Sequence, residues 1–136
     1  MSKDWVKDIH DMQTKYQTRE WVEKNINDPE KLRAFLKFRI GFLQEELDET
    51  REAHLLKDPE EIVDGLIDLC VVAIGTLDAY GVDAYKAWDE VLKANMQKEV
   101  GVKATRPNPL GVPDLVKPDD WEAPSHEDNH GIFNDI

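Results

Sequence analysis

Residues Glu61 to Leu77 form a stretch that is apolar or small on nearly every side, interrupted by two carboxylates, Asp64 and Asp68. A helix apolar all round needs cover all round, so this segment calls for neighbouring helices on every flank. Upstream lies a second acidic motif, Glu45-Glu46-Leu47-Asp48-Glu49. At about 100° per residue, Glu46 and Glu49 fall on the stripe drawn by Leu32, Phe35, Phe42 and Ala53. An ionised carboxylate buried without a partner is costly, and few basic residues are placed nearby to pair with these. Divalent cations are the most direct answer.

Four helices are predicted. The first runs from about Asp4 to Tyr16, with Trp5, Ile9 and Met12 along one side. Asp28-Pro29-Glu30 opens the second with an N-cap and a proline at the first helical position, and it carries to Leu55 or Leu56. Asp58-Pro59-Glu60 repeats that signal for the third, which stops near Tyr80-Gly81. Asp83 caps the fourth, Ala84 to about Val100, with Ala84, Trp88, Val91, Leu92 and Asn95 on a face expected to be buried. No stretch shows strand alternation. The expected class is all-α, an antiparallel four-helix bundle over residues 1–100.

Beyond Gly101, Pro107, Pro109, Pro113, Pro118 and Pro124 rule out helix. Leu110, Val112, Leu115, Val116, Trp121, Ile132 and Phe133 are more apolar residues than a solvated tail needs. Residues 101–136 are therefore expected to form an extended Pro-rich arm, wrapping its own domain or a neighbouring subunit. Around His126 and His130, so polar a stretch reads as disordered. The cover demanded by the third helix predicts a homo-oligomer, a homodimer or homotetramer.

The 136 residues suffice for one modest core. A net charge of -12 argues against nucleic acid as a partner. The lone Cys70 reads as a buried structural thiol. The charged start, MSKDWVKDIHDM, has no secretory apolar core, and the longest apolar run is too short and acidic to span a membrane. A cytoplasmic protein is the expectation.

Glu46 and Glu49 are three apart, hence neighbours on one helix face, and Glu61 and Asp64 repeat the relation on the next helix, which runs back antiparallel. Two such pairs facing each other make a hard-oxygen cage suited to magnesium or manganese, flanked by Glu45 and Asp68. Glu52, Glu60 and Glu90, by contrast, fit an ordinary solvated face. A di-iron bundle wants Glu-x-x-His pairs, which neither motif supplies.

Glu45–Glu49 matches the E-E-x-x-E motif, and Glu61-Ile-Val-Asp64 the E-x-x-D motif, of the MazG-like all-α nucleoside triphosphate pyrophosphohydrolases, which the chain resembles. Lys93 to Lys98 is similar to that family's third element, and Gly111 to Pro124 to the tail of phage-type members. The resemblance implies hydrolysis between the α and β phosphates of a nucleoside triphosphate. It implies Glu46, Glu49, Glu61 and Asp64 as ligands of Mg²⁺ or Mn²⁺, two or three ions per site. Glu45, or alternatively Glu49, would orient or deprotonate the attacking water. Asn95 and Lys98, expected on the buried side of the fourth helix, would serve the phosphates, and a thin basic set of Lys103, Arg106 and Lys117 either closes over them from the arm or pairs with surface carboxylates.

For the base, pyrimidine-preferring relatives carry an aromatic where this chain has Asp68. A carboxylate there can accept from the N1–H and amine of guanine, or can tune the metal ligands instead. The resemblance also points to guanine, since phage members include a dGTP-removing enzyme. His10, Met12 and Trp21 are candidates to line the base, and Arg39 to pair with a motif carboxylate or a phosphate. Phosphoribosyl-ATP and dUTP or dCTP are the competing substrates. A non-catalytic acidic interaction module is the competing class.

Overall fold

The structure, a computed structural model, describes residues 3–103, 110 and 114–136. Arg106, Pro107, Pro109, Gly111, Val112 and Pro113, invoked above, lie outside them. The described chain is mostly helical: α1 (Trp5–Lys15), α2 (Thr18–Lys24), α3 (Pro29–Leu55), α4 (Pro59–Ala79) and α5 (Ala84–Met96). Two short strands, β1 (Glu99–Gly101) and β2 (Asp114–Val116), and a 3₁₀ turn at Gly131–Asp135 follow. Three helices begin where an aspartate caps them. Asp4 accepts from the Lys7 N–H, Asp28 from Lys31 and Asp58 from Glu61, the last two with proline opening the helix. The chain divides into two compact units, one comprising residues up to Ala84 with His130–Ile136, the other Tyr85–Asn129.

In the first unit α3 and α4 are antiparallel partners. Thr50 meets Gly65, Arg39 bonds Thr76, and the Tyr80 hydroxyl donates to the Leu32 carbonyl, so position rises on one helix as it falls on the other. Across α4, α1 is held by the Gln13 amide donating to the Gly75 carbonyl at 2.9 Å. The core is Val22, Leu32, Ala79 and Tyr80, with Phe35, Leu36, Ile132, Phe133 and Ile136 packed on it.

Two features here differ from the sequence expectation. The chain turns at Gln17, which takes a left-handed φ of 60°, and an unpredicted α2 follows. No glycine or side-chain cap marks that break, which is why the pattern hid it. The C-terminal segment is ordered rather than disordered. Phe133 stacks on Tyr80 with ring centroids 4.5 Å apart, and the Ile132 N–H donates to the Tyr80 carbonyl at 2.8 Å. Gly131 (φ 53°) makes this docking possible, because any Cβ there would run into that carbonyl. His130 Nδ1 lies 3.1 Å from the Asn134 Oδ1.

In the second unit the helix expected to reach Val100 stops at Met96. Residues Glu99 to Gly101 instead pair antiparallel with Val116 to Asp114, a small ribbon that the all-α reading lacked. The face expected to be buried is not. Trp88 is 67% and Leu92 46% exposed, while Ala94 is covered. The Trp121 indole N–H donates to the Ala94 carbonyl at 2.7 Å, tying the segment after β2 to α5. Among the described residues no helix is long and apolar enough to cross a membrane. Cys70 is a free, half-buried thiol.

Candidate active site: an acidic cluster and an adjoining cleft

The close crossing of α3 and α4 is set by Gly65. A Cβ at that position would collide with the Thr50 hydroxyl, which is itself turned back onto the Glu46 carbonyl at 2.8 Å. This contact brings the acids of the two motifs together. Burial, followed by the charges of Glu49, Asp68, Glu45 and Asp64, holds the Glu46 carboxyl above its ordinary range. Burial likewise raises the Asp68 carboxyl, aided by the charge of Asp64 and a hydrogen bond with it. Glu61 stands at the first turn of α4, exposed, its backbone N–H donating to Asp58.

The acids are less buried than the apolar pattern implied. Glu45, Glu49, Glu61 and Asp64 are exposed, and Glu46 and Asp68 half-buried. The reason is the surface around them, because Val63, Leu66 and Ile67 are themselves 63%, 51% and 44% exposed on a helix face that the single chain leaves open. Among the described residues no Lys, Arg or His pairs with any of these six acids. Nor do three His, Cys, Asp or Glu side chains converge tightly enough to hold a metal ion as they stand. The chemistry of the donor set nonetheless fits a hard divalent cation. It is all carboxylate oxygen, with two carboxyls raised by burial and then by their acidic neighbours, and without an internal counter-charge.

The other predicted residues are dispersed. His10 Nδ1 lies 2.8 Å from Asp78 Oδ1, an α1–α4 contact, with the Arg19 Nε 3.5 Å from the same carboxylate. Met12 is half-buried on α1. Arg39 pairs with no motif carboxylate. Its Nε donates to the Thr76 hydroxyl and its Nη2 to the Val72 carbonyl, both at 3.0 Å. Asn95 is exposed rather than buried, and Lys98 lies past the end of α5. Lys98 and Lys117 both rest on the Trp121 ring, their ammonium groups 5.4 and 4.7 Å from its centroid.

A feature not anticipated is an open trough along α3. Between α2 and α3 lies a cleft of about 790 Å³ lined by Tyr16, Trp21, Phe35, Phe38, Lys24, Lys31 and Arg39, among others. A second cleft of about 530 Å³ shares Ala34 and Phe38 with it and runs past Lys37 and Phe42 to Glu45. The trough therefore ends at Glu45, the first acid of the α3 motif. Asp68 lines neither cleft. Its aromatics were readable in the sequence as an i, i+3, i+7 series, Phe35, Phe38 and Phe42, but the wall supplied by the unpredicted α2 was not.

An all-α scaffold that crosses two helices to gather unpaired carboxylates is the frame of a phosphoanhydride hydrolase. Residues 10–95 match the phosphoribosyl-ATP pyrophosphohydrolase family, and the chain belongs to that family, within the MazG-like all-α superfamily. No curated protein and no solved structure matches the chain. Family membership makes it a pyrophosphohydrolase acting on a nucleotide phosphoanhydride.

Proposed function

We propose that the chain hydrolyses a nucleoside triphosphate, dGTP or GTP, to the monophosphate and pyrophosphate by attack of water at the α-phosphate. The observation that carries this reading is the set of acids from two antiparallel helices, crowded together with no basic partner. Glu46, Glu49, Glu61 and Asp64 would hold Mg²⁺ or Mn²⁺. When bound, such ions neutralise phosphate charge and make water more acidic. Glu45, which lines the second cleft, would orient the water and take its proton, with Glu49 as the alternative. The sequence resemblance assigns the phosphates to Asn95 and Lys98, and Lys117 is a further candidate from the basic set of the arm. The shared hold of Lys98 and Lys117 on one indole supports a paired role.

The base belongs in the aromatic cleft with Trp21. Arg39 lies seven residues, or about 10 Å of helix, before Glu46, a gap that a sugar and its 5′ oxygen can bridge. His10 is committed to Asp78, and neither it nor Met12 lines this cleft. Asp68 has two possible tasks, reading guanine or steadying the metal ligands. Its hydrogen bond with Asp64 supports the second. A homodimer or homotetramer would cover the open face of α4.

The family match favours one other substrate, phosphoribosyl-ATP. Incubation with all eight common NTPs and dNTPs and with phosphoribosyl-ATP, in Mg²⁺ or Mn²⁺, separates the two. Monophosphate and pyrophosphate, fastest from dGTP or GTP, is the expected result. Turnover of phosphoribosyl-ATP alone would replace the substrate assignment. Nucleoside diphosphate as product would overturn the reaction itself.

A further inference from the structure

We infer that the cleft between α2 and α3 selects a purine carrying a 6-oxo group, with the free edge of the Arg39 guanidinium donating to O6 and N7 of the base. The inference deepens the proposed function by naming how the base is chosen, and its test requires no turnover.

Arg39 is half-buried and held from behind on two neutral acceptors of α4, the Thr76 hydroxyl and the Val72 carbonyl. Its fork lies close over Gly75, where a Cβ would stand only 2.8 Å from Nη2. Thus one helix fixes the plane of the guanidinium. Of its five N–H groups two are used, and among the described residues no carboxylate answers its charge. Burial lowers its pKa, as expected of a cation short of solvation. The remaining N–H groups belong to a residue that lines the cleft. Such a pre-set fork suits two acceptors side by side.

The rest of the lining points to a planar ligand. Trp21 and Phe35 meet at 5.0 Å and 59°, and Trp21 is 40% and Phe38 67% exposed, so ring surface is open to the cleft. A base stacked there can turn one edge to Arg39. Guanine and hypoxanthine present N7 and O6 as paired acceptors. Adenine and 2-aminoadenine place a 6-amino donor against the guanidinium, and cytosine likewise presents an amine. Nothing in this arrangement reads the 2-amino group. A phosphate in the cleft would also satisfy Arg39, but it would leave four aromatic side chains without a task.

Hypoxanthine separates the possibilities, because it keeps O6 and N7 and lacks the 2-amine that a carboxylate such as Asp68 would read. Titration calorimetry of the full chain, without metal, would compare dGMP, dIMP, dAMP and 2-aminoadenine deoxyribonucleoside monophosphate. Since a bidentate arginine–purine contact discriminates against the wrong base, dGMP and dIMP should bind alike and the two 6-amino purines about 5- to 150-fold more weakly. Arg39→Gln should bring dGMP and dIMP down to the dAMP level. If that variant fails to fold, the ligand series on the unaltered chain decides alone. A weak dIMP, a 2-aminoadenine nucleotide as tight as dGMP, equal affinity for all four, or no binding at all would each overturn the inference. A chain that discriminates in this way but hydrolyses no triphosphate would keep the inference and lose the proposed function.

Discussion

Glu46 shows how a site can be prepared at the expense of its own chain. A carboxyl held above its ordinary value binds its proton more tightly in the folded state than in the unfolded one. Its favourable contribution is therefore complete below the ordinary value of 4.5 and is lost as pH rises through the raised value. At neutral pH, without metal, Glu46 and Asp68 oppose folding. Replacing Glu46 with Gln should raise the metal-free melting temperature at about pH 7 by roughly 1–2 °C, the scale of a surface charge change in a chain this size. That gain should vanish when the melts are repeated below pH 4.5. Added Mn²⁺ should stabilise the unaltered chain more than the variant. The spacing of these acids was legible in the sequence, whereas their exposure was not. Periodicity told which residues share a face of α4 but not whether the single chain covers it.

Between elements, one missing side chain governs the site. Gly65 lets α3 and α4 approach at the level of the acids, so Gly65→Ala must push them apart or displace Thr50. The expected cost is about 1–3 kcal/mol, the usual range for overpacking a close contact, measured by urea denaturation. The same variant should weaken Mn²⁺ binding, because the carboxylates separate with the helices. The 3₁₀ turn after Gly131 is a second such contact. Phe133→Ala removes a ring stacked on Tyr80 and should cost about 2 kcal/mol, less than a fully buried phenylalanine because this one is half-covered. The two Asp-Pro-Glu starts made α3 and α4 readable to the residue. The break at Gln17 left no mark, since a left-handed turn at glutamine depends on what packs around it, here the polar ties of Gln13, Thr18 and Arg19. The β1–β2 ribbon escaped for a similar reason. Three-residue strands are too short to show alternation, and their register comes from pairing across the chain.

At the scale of the molecule, charge and apolar surface make opposing demands. Each chain carries a net charge of -12, which resists association at low ionic strength. Yet Val63, Leu66 and Ile67 recur at helical spacing on the side of α4 turned away from α3, all of them more than 40% exposed. A monomer rarely leaves such a face to water, and this one adjoins Asp64 and Asp68. Sequence alone showed that α4 needs cover on every side. The structure narrows the need to the face that α1 and α3 leave open, and a second copy presenting the same face would meet it. Sedimentation equilibrium should therefore give a mass at least twice the 15.7 kDa of one chain. Raising salt from about 0.01 to 0.15 M, which shortens the screening length from about 30 to 8 Å, should strengthen the assembly as the like charges are muted. Leu66→Asp should shift it toward the single chain, whereas Leu55→Asp, at the still more exposed end of α3, should not. A unaltered chain that sediments as a monomer at both salt concentrations would show that this face serves something other than self-association.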